Sequence, residues 1–162
     1  MKNILVFNIM GEELGVDVSL VREVLESQTI HPFPRAPEFI EGVINLRGHI
    51  IGVIDLGKKL RLQAAKHNTQ MRIIVCKVKR FIVGLIVDGV DEVISVPDEN
   101  IEPTPEVLSI QIEDSFVSAI ARVDQRIITL LDLENILAKK EIESLMQAQP
   151  EITAKRKPTQ IQ

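Results

Sequence analysis

Few residues in this chain could do chemistry, and they are badly spaced for it. Asp55 and Asp132 would be the obvious carboxylate pair for general acid–base work. Each, however, stands in the same Asp-Leu context just before a helical pattern, at Asp55-Leu56 and Asp132-Leu133. An N-cap is the simpler reading of both, because a short acceptor side chain satisfies orphan amides at a helix start. His31, His49 and His67 show no metal-ligand spacing with one another or with Cys76. Cys76 is the sole cysteine, so no internal disulfide can form, and a reducing compartment fits. It lies in the apolar run Ile-Ile-Val-Cys, where a thiol packs as a small hydrophobe. No Ser-His-Asp order or phosphate-cradling glycine loop stands out, and Gly84 and Gly89 read as close packing and a turn. The expectation is no catalytic set, no cofactor and no metal.

What must be positioned is therefore a surface, and the chain builds it from one unit written twice. Residues 39–60, FIEGVINLRGHIIGVIDLGKKL, align without a gap on residues 116–137, FVSAIARVDQRIITLLDLENIL, with 6 identities in 22 positions. Residues 4–25 align likewise on residues 73–94 with 7 identities. The offsets are 69 and then 77, so the second copy carries about eight extra residues within 97–115. The repeat units span about 4–60 and 73–137, with exchange of strands between the halves left open, in one domain over residues 1–149, and a polar tail at 150–162 is expected to be disordered.

Composition narrows the class. Ile supplies 23 residues and Val 17, which favours strands, where branched side chains pack on a pleated surface. Trp and Tyr are absent and Phe numbers five, so platforms for stacking bases are missing. A net charge of −4 offers no broad attraction to phosphate backbones. The one dense basic cluster, Lys155-Arg156-Lys157, falls in the tail. No apolar run approaches the ~18 residues of a membrane helix, and the N-terminal ILVF run, broken at Asn8, reads as a first strand. A soluble cytoplasmic protein is expected.

Strands are predicted around residues 4–10 and 14–17. Ser19 then resembles a helix start, with Val18, Val21 and Val24-Leu25 near helical spacing and residues 88–94 as the second-copy counterpart. Pro32, Pro34 and Pro37 break the first copy where Pro97, Pro103 and Pro105 break the second. Each unit then contains a hairpin, at 42–54 about Arg47-Gly48 and in the second copy about Asp124-Gln125. Leu133, Ile136 and Leu137, then Ile142, Leu145 and Met146, predict a C-terminal amphipathic helix capping the core. Short strands and tight turns point to a mainly β fold, a barrel or a sandwich, and two halves of about five strands each would make two small barrels packed together. Residues 49–54 and 81–87 are apolar on both alternating faces, so their outward sides need cover from the other half or from a partner.

Three stretches carry a family resemblance. GxExxGxDxxxVREV at 11–24, PxFIxGVINLRGxIIxVIDL at 37–56 and VGLIVDGVDEV at 83–93 resemble the CheW family of chemotaxis coupling proteins. The likeness runs from about Val6 to Met146, and Asn45-Leu46-Arg47-Gly48 is its most specific element. It implies two SH3-like five-stranded barrels and no catalytic activity. It also implies an adaptor role between transmembrane chemoreceptors and the histidine kinase CheA, whose regulatory domain has the same fold. By motif position, Val21, Glu23 and Arg47 would line a receptor-binding groove taking the helical hairpin tip of a methyl-accepting receptor. Ile30, Gly42 and Ile50 would face the kinase on the first barrel, with a further contact around Val107 on the other. Each has a plain alternative: a structural turn for Arg47, ordinary core for Ile30 and Ile50, a bend for Gly42. Two other roles stay open, the same adaptor in a chemosensory system for pili or a second messenger, and a nucleic-acid-binding small barrel. The acidic balance argues against the last.

Overall fold

Alternating branched aliphatic residues produce eleven strands in this computed structural model, which describes residues 1–35, 40–60, 70–104 and 117–136. The first copy supplies β1 (Lys2–Ile9), β2 (Glu12–Asp17), β3 (Val21–Leu25), β4 (Ile40–Leu46), β5 (His49–Asp55) and the one-turn helix α1 (Leu56–Lys59). The second supplies β6 (Arg72–Val78), β7 (Phe81–Val87), β8 (Gly89–Val96), β9 (Ile101–Pro103), β10 (Val117–Val123) and β11 (Arg126–Leu131).

The two copies trade strands. One sheet runs β8-β1-β2-β11-β10-β9 and the other β3-β6-β7-β5-β4. The first copy's opening hairpin thus sits in a terminal barrel with β8 to β11. The second copy's opening hairpin sits in a central barrel with β3, β4 and β5. Both joints are parallel and equivalent, β2 with β11 and β7 with β5. The chain beyond β3 returns to close the central barrel, where His31 and Val43 exchange two backbone hydrogen bonds of 2.8 Å. β9 does the same for the terminal barrel by pairing with β10.

This arrangement explains why some strands are apolar on both faces. Along β1, Ile4 and Val6 enter the terminal barrel with Val96, Ala121 and Ile128, while Leu5, Phe7 and Ile9 point the other way. Along β6, Ile73 and Val75 enter the central barrel with Ile44, Val53 and Ile86, while Ile74, Cys76 and Val78 meet the outward residues of β1. The outward faces cover each other. A fully buried side chain of this size contributes about 1.5–3 kcal/mol, so this shared layer binds the barrels tightly.

Asp55 is the N-cap of α1, its side chain accepting the Lys58 N–H at 3.2 Å. Asp132 accepts the Glu134 N–H at 3.0 Å in the equivalent turn. The predicted helix from Ser19 is not formed. A 3-10 turn at Val18–Leu20 is capped instead by Asp17, which accepts the Ser19 N–H at 2.9 Å, and β3 follows at once. Burial along β3 alternates residue by residue, but Glu23 takes a half-buried place and Val24 an exposed one, so the valines at 21 and 24 fall at a spacing that imitates a helix. The second-copy counterpart is likewise a strand, β8. Leu133 and Ile136 are buried in the shared layer within a turn. The rest of the expected C-terminal helix and the tail lie outside the described residues.

Burial in the shared layer pushes the Cys76 thiol up to about 12. An unfolded thiol titrates near about 8.5, so its proton is held more tightly in the folded chain. The resulting contribution is complete below pH ~8.5 and is lost as pH rises toward ~12. We expect Cys76 to resist disulfide-exchange reagents at pH 8 in the native protein and to react fully in denaturant. Fast native labelling would show that the layer opens.

Candidate functional site

The Asn45-Leu46-Arg47-Gly48 segment is a turn whose parts divide the work. Arg47 and Gly48 both take positive φ, 51° and 86°, as a two-residue hairpin that follows strand twist requires. Asn45 accepts the Gly48 N–H at 2.9 Å and holds the turn from its own strand. The turn aims Arg47 across the mouth of the central barrel at Glu23 on β3. The guanidinium and carboxylate form a two-pronged ion pair, Nη1 to Oε1 at 3.4 Å and Nη2 to Oε2. Glu23 hydrogen bonding and charge push the Arg47 guanidinium further above its ordinary value. The pair is open to solvent, with the Arg47 side chain 69% and Glu23 30% exposed. Exposed pairs add little stability, so its geometry matters more than its energy.

Val21 lies two residues before Glu23, opposite Cys76, and packs half-buried against the shared layer. Val21, Glu23 and Arg47 therefore come together where the central barrel meets that layer. The second copy does not repeat this chemistry. Asp124 stands where Arg47 would, and Arg122, in the place of Asn45, pairs with Glu102 at 3.1 Å. Glu92, the counterpart of Glu23, is held by Arg126 at 3.0 Å, and Arg126 also grips Glu13 at 3.0 Å. Sequence reasoning missed this three-strand tie, although the Glu23–Glu92 alignment marked one end of it.

The residues expected to face a kinase separate. Ile50 is half-buried on the outer side of β5, opposite the exposed Asn45. Gly42 and Ile30 lie at the closure of the central barrel. A Cβ on Gly42 would meet the His31 carbonyl oxygen at 2.5 Å and Ile30 Cγ2 at 2.8 Å, and Ile30 packs against the barrel core. Val107 lies outside the described residues, as does His67. Among the described residues no three His, Cys, Asp or Glu side chains group to hold a metal, and no helix is long and apolar enough to cross a membrane.

Residues 3–141 match the CheW-like domain. The chemotaxis protein CheW of Rhizobium meliloti (strain 1021) is 34% identical over 88% of this chain and 92% of its own length. The chemotaxis protein CheW of Thermotoga maritima is 33% identical over 83% of this chain and 86% of its own. The crystal structure of the scaffolding protein TtCheW from Thermoanaerobacter tengcongensis superposes with a TM-score of 0.77. It shares 40% identity and covers 86% of this chain and 96% of that one. With its strand order, its turn motif and these likenesses agreeing, the chain belongs to the CheW-like family.

Proposed function

We propose that this chain is a non-catalytic chemotaxis scaffold. It joins the cytoplasmic hairpin tip of a chemoreceptor to the regulatory domain of a CheA-type histidine kinase, in the cytoplasm beneath membrane-associated receptor arrays. The observation that carries the reading is the exposed Glu23–Arg47 pair beside half-buried Val21. An ion pair fixed beside an apolar side chain suits the border of an apolar helix face. The names of the similar proteins, chemotaxis proteins and a scaffolding protein, favour this over a role in pili or second-messenger control. On the kinase side, Ile50 supplies the accessible apolar contact. Gly42 and Ile30 shape the strand beneath it, and the stretch around Val107 provides a contact from the other barrel.

Reconstitution of receptor, kinase and chain tests the reading. Kinase output should depend on receptor ligand only when the chain is present. Ile50→Lys should weaken capture of the kinase regulatory domain at least about tenfold while receptor binding persists. Ligand-controlled kinase output without the chain would overturn the proposal, as would turnover of a metabolite by the chain itself.

A further inference from the structure

The two hairpin turns of the central barrel open at the same end. β3 begins beside the end of β6, where Val21 pairs with Cys76, and β6 turns into β7 at Lys79-Arg80. β7 runs parallel to β5, whose turn from β4 holds Arg47. Arg47 then reaches Glu23 and joins β4 back to β3. In a chain of net charge −4, this one end gathers Arg22, Arg47, Lys77, Lys79 and Arg80, all exposed.

Arg47 is the cation there that meets a carboxylate. Among the described residues, Arg22, Lys77, Lys79 and Arg80 have no ion-pair partner, and Arg80 rests over the Phe81 ring at 5.5 Å. Asp17, just before β3, is engaged by the Ser19 amide and hydroxyl. The fold does not require these cations. In the other copy, Asp91, Asn8, Met10 and Gly11 stand where Arg22, Lys77, Lys79 and Arg80 stand here. Met10 and Lys79 even share a positive φ, 54° and 57°. Exposed cations with no structural task form a field for an anionic partner.

This field adjoins the coupling site. Arg22 stands between Val21 and Glu23 in β3. Glu23 pairs with Val75, and Lys77, two residues further along β6, shares that face of the strand. Two strand residues span about 7 Å, less than the ~10 Å width of a helix. A helix lying on the Glu23–Arg47 pair therefore has the β6–β7 turn along its flank.

We propose that the receptor hairpin taken by this chain carries carboxylates on the flank turned toward the β6–β7 turn, and that Lys77, Lys79 and Arg80 are the specificity-determining residues that select it. The inference rests on the scaffold reading and adds to it the charge of the ligand and the residues that read that charge. Single exposed pairs contribute little. Several cations acting together steer the encounter, which makes association fast at low salt and sensitive to screening.

The test is binding of the full chain to the cytoplasmic tip fragment of a chemoreceptor from the same cell, measured by stopped flow at about 20 mM and 300 mM salt. Wild-type affinity should fall at least about tenfold between the two, mostly in the association rate. Lys77→Gln with Lys79→Gln and Arg80→Gln should lose about tenfold at low salt and most of the salt dependence, with an unchanged thermal midpoint. Arg47→Glu should bind weakly at both salts. Changing the flank glutamates of the fragment to glutamine should reproduce the triple variant's loss with the chain untouched, and decides the matter should that variant fail to fold. A folded triple variant, or a neutral-flank fragment, that binds as wild type does would overturn the inference. Weak binding by Arg47→Glu in that case would leave the scaffold reading standing. A wild-type chain that holds no tip fragment at either salt would remove both. A triple variant that loses adhesion to phosphatidylserine vesicles, yet holds the fragment normally, would assign the cations to a membrane surface and overturn the inference.

Discussion

Gly42→Ala should cost the central barrel about 3 kcal/mol, at the upper end of what overpacking usually costs. The added methyl would lie 2.5 Å from the His31 carbonyl oxygen and 2.8 Å from Ile30. A flexible side-chain end could swing away, but His31 is backbone, held on both sides by its hydrogen bonds to Val43. Relief therefore requires breaking the bridge that closes the barrel. Gly42→Asp should be worse, because it adds a buried carboxylate to the same collision, and that variant should lose its cooperative melt. Urea titration followed by circular dichroism measures both. An Asp variant with the wild-type midpoint and selectively lost kinase binding would instead make position 42 a direct contact. For the same reason Ile50, not Gly42, is the position at which to probe the kinase-facing surface without disturbing the fold.

Arg47→Glu should have the opposite profile, a fold left intact and a coupling site disabled. The turn does not need the guanidinium, since Asn45 still holds the Gly48 amide and Gly48 still supplies the positive φ. What changes is the charge beside Val21, where the new carboxylate would stand against Glu23. We expect affinity for a receptor hairpin to drop about tenfold or more while the thermal midpoint stays near wild type. The charge-swapped double variant, Glu23→Arg with Arg47→Glu, separates two explanations. Recovery of binding would mean that the pair acts by stiffening the turn, and continued loss would mean that the receptor reads the sign of the charge beside Val21. Wild-type affinity in the single variant would remove Arg47 from the site.

The sequence displayed the repeat because aliphatic positions recur in two ungapped blocks, and the strands follow those blocks closely. Gly15 and Gly84, identical in the alignment, have the same structural cause. An added Cβ would strike Ile4 at 2.6 Å in one case and Ile73 at 2.8 Å in the other, and these isoleucines are themselves equivalents. β3 was misread because Glu23 takes a half-buried place and Val24 an exposed one, so its apolar residues do not follow the two-residue period that identifies a strand. The pattern left the trading of strands open without saying which are traded, since β1 needs the same apolar residues whichever copy provides its neighbours. Around the site, the Arg47–Glu23 pairing could be anticipated from motif position. The burial of Gly42 depends on where the chain passes at residues 30–31, and periodicity carries no information on that.

The order of β-strands around the two sheets has a consequence for the chain as it leaves the ribosome. The central barrel is contiguous, from β3 through β7, and all of its strands exist once Val87 has been made. The terminal barrel draws on both ends of the message, so β1 and β2 must wait for β11 before their sheet is complete. Chains are extended at about 5–20 residues per second, and through that interval Leu5, Phe7 and Ile9 can lean on the part of the shared layer already made, including Ile54, Leu56, Ile74, Cys76 and Leu85. The module bearing the Glu23–Arg47 pair is thus completed first and serves as the template on which the other is assembled.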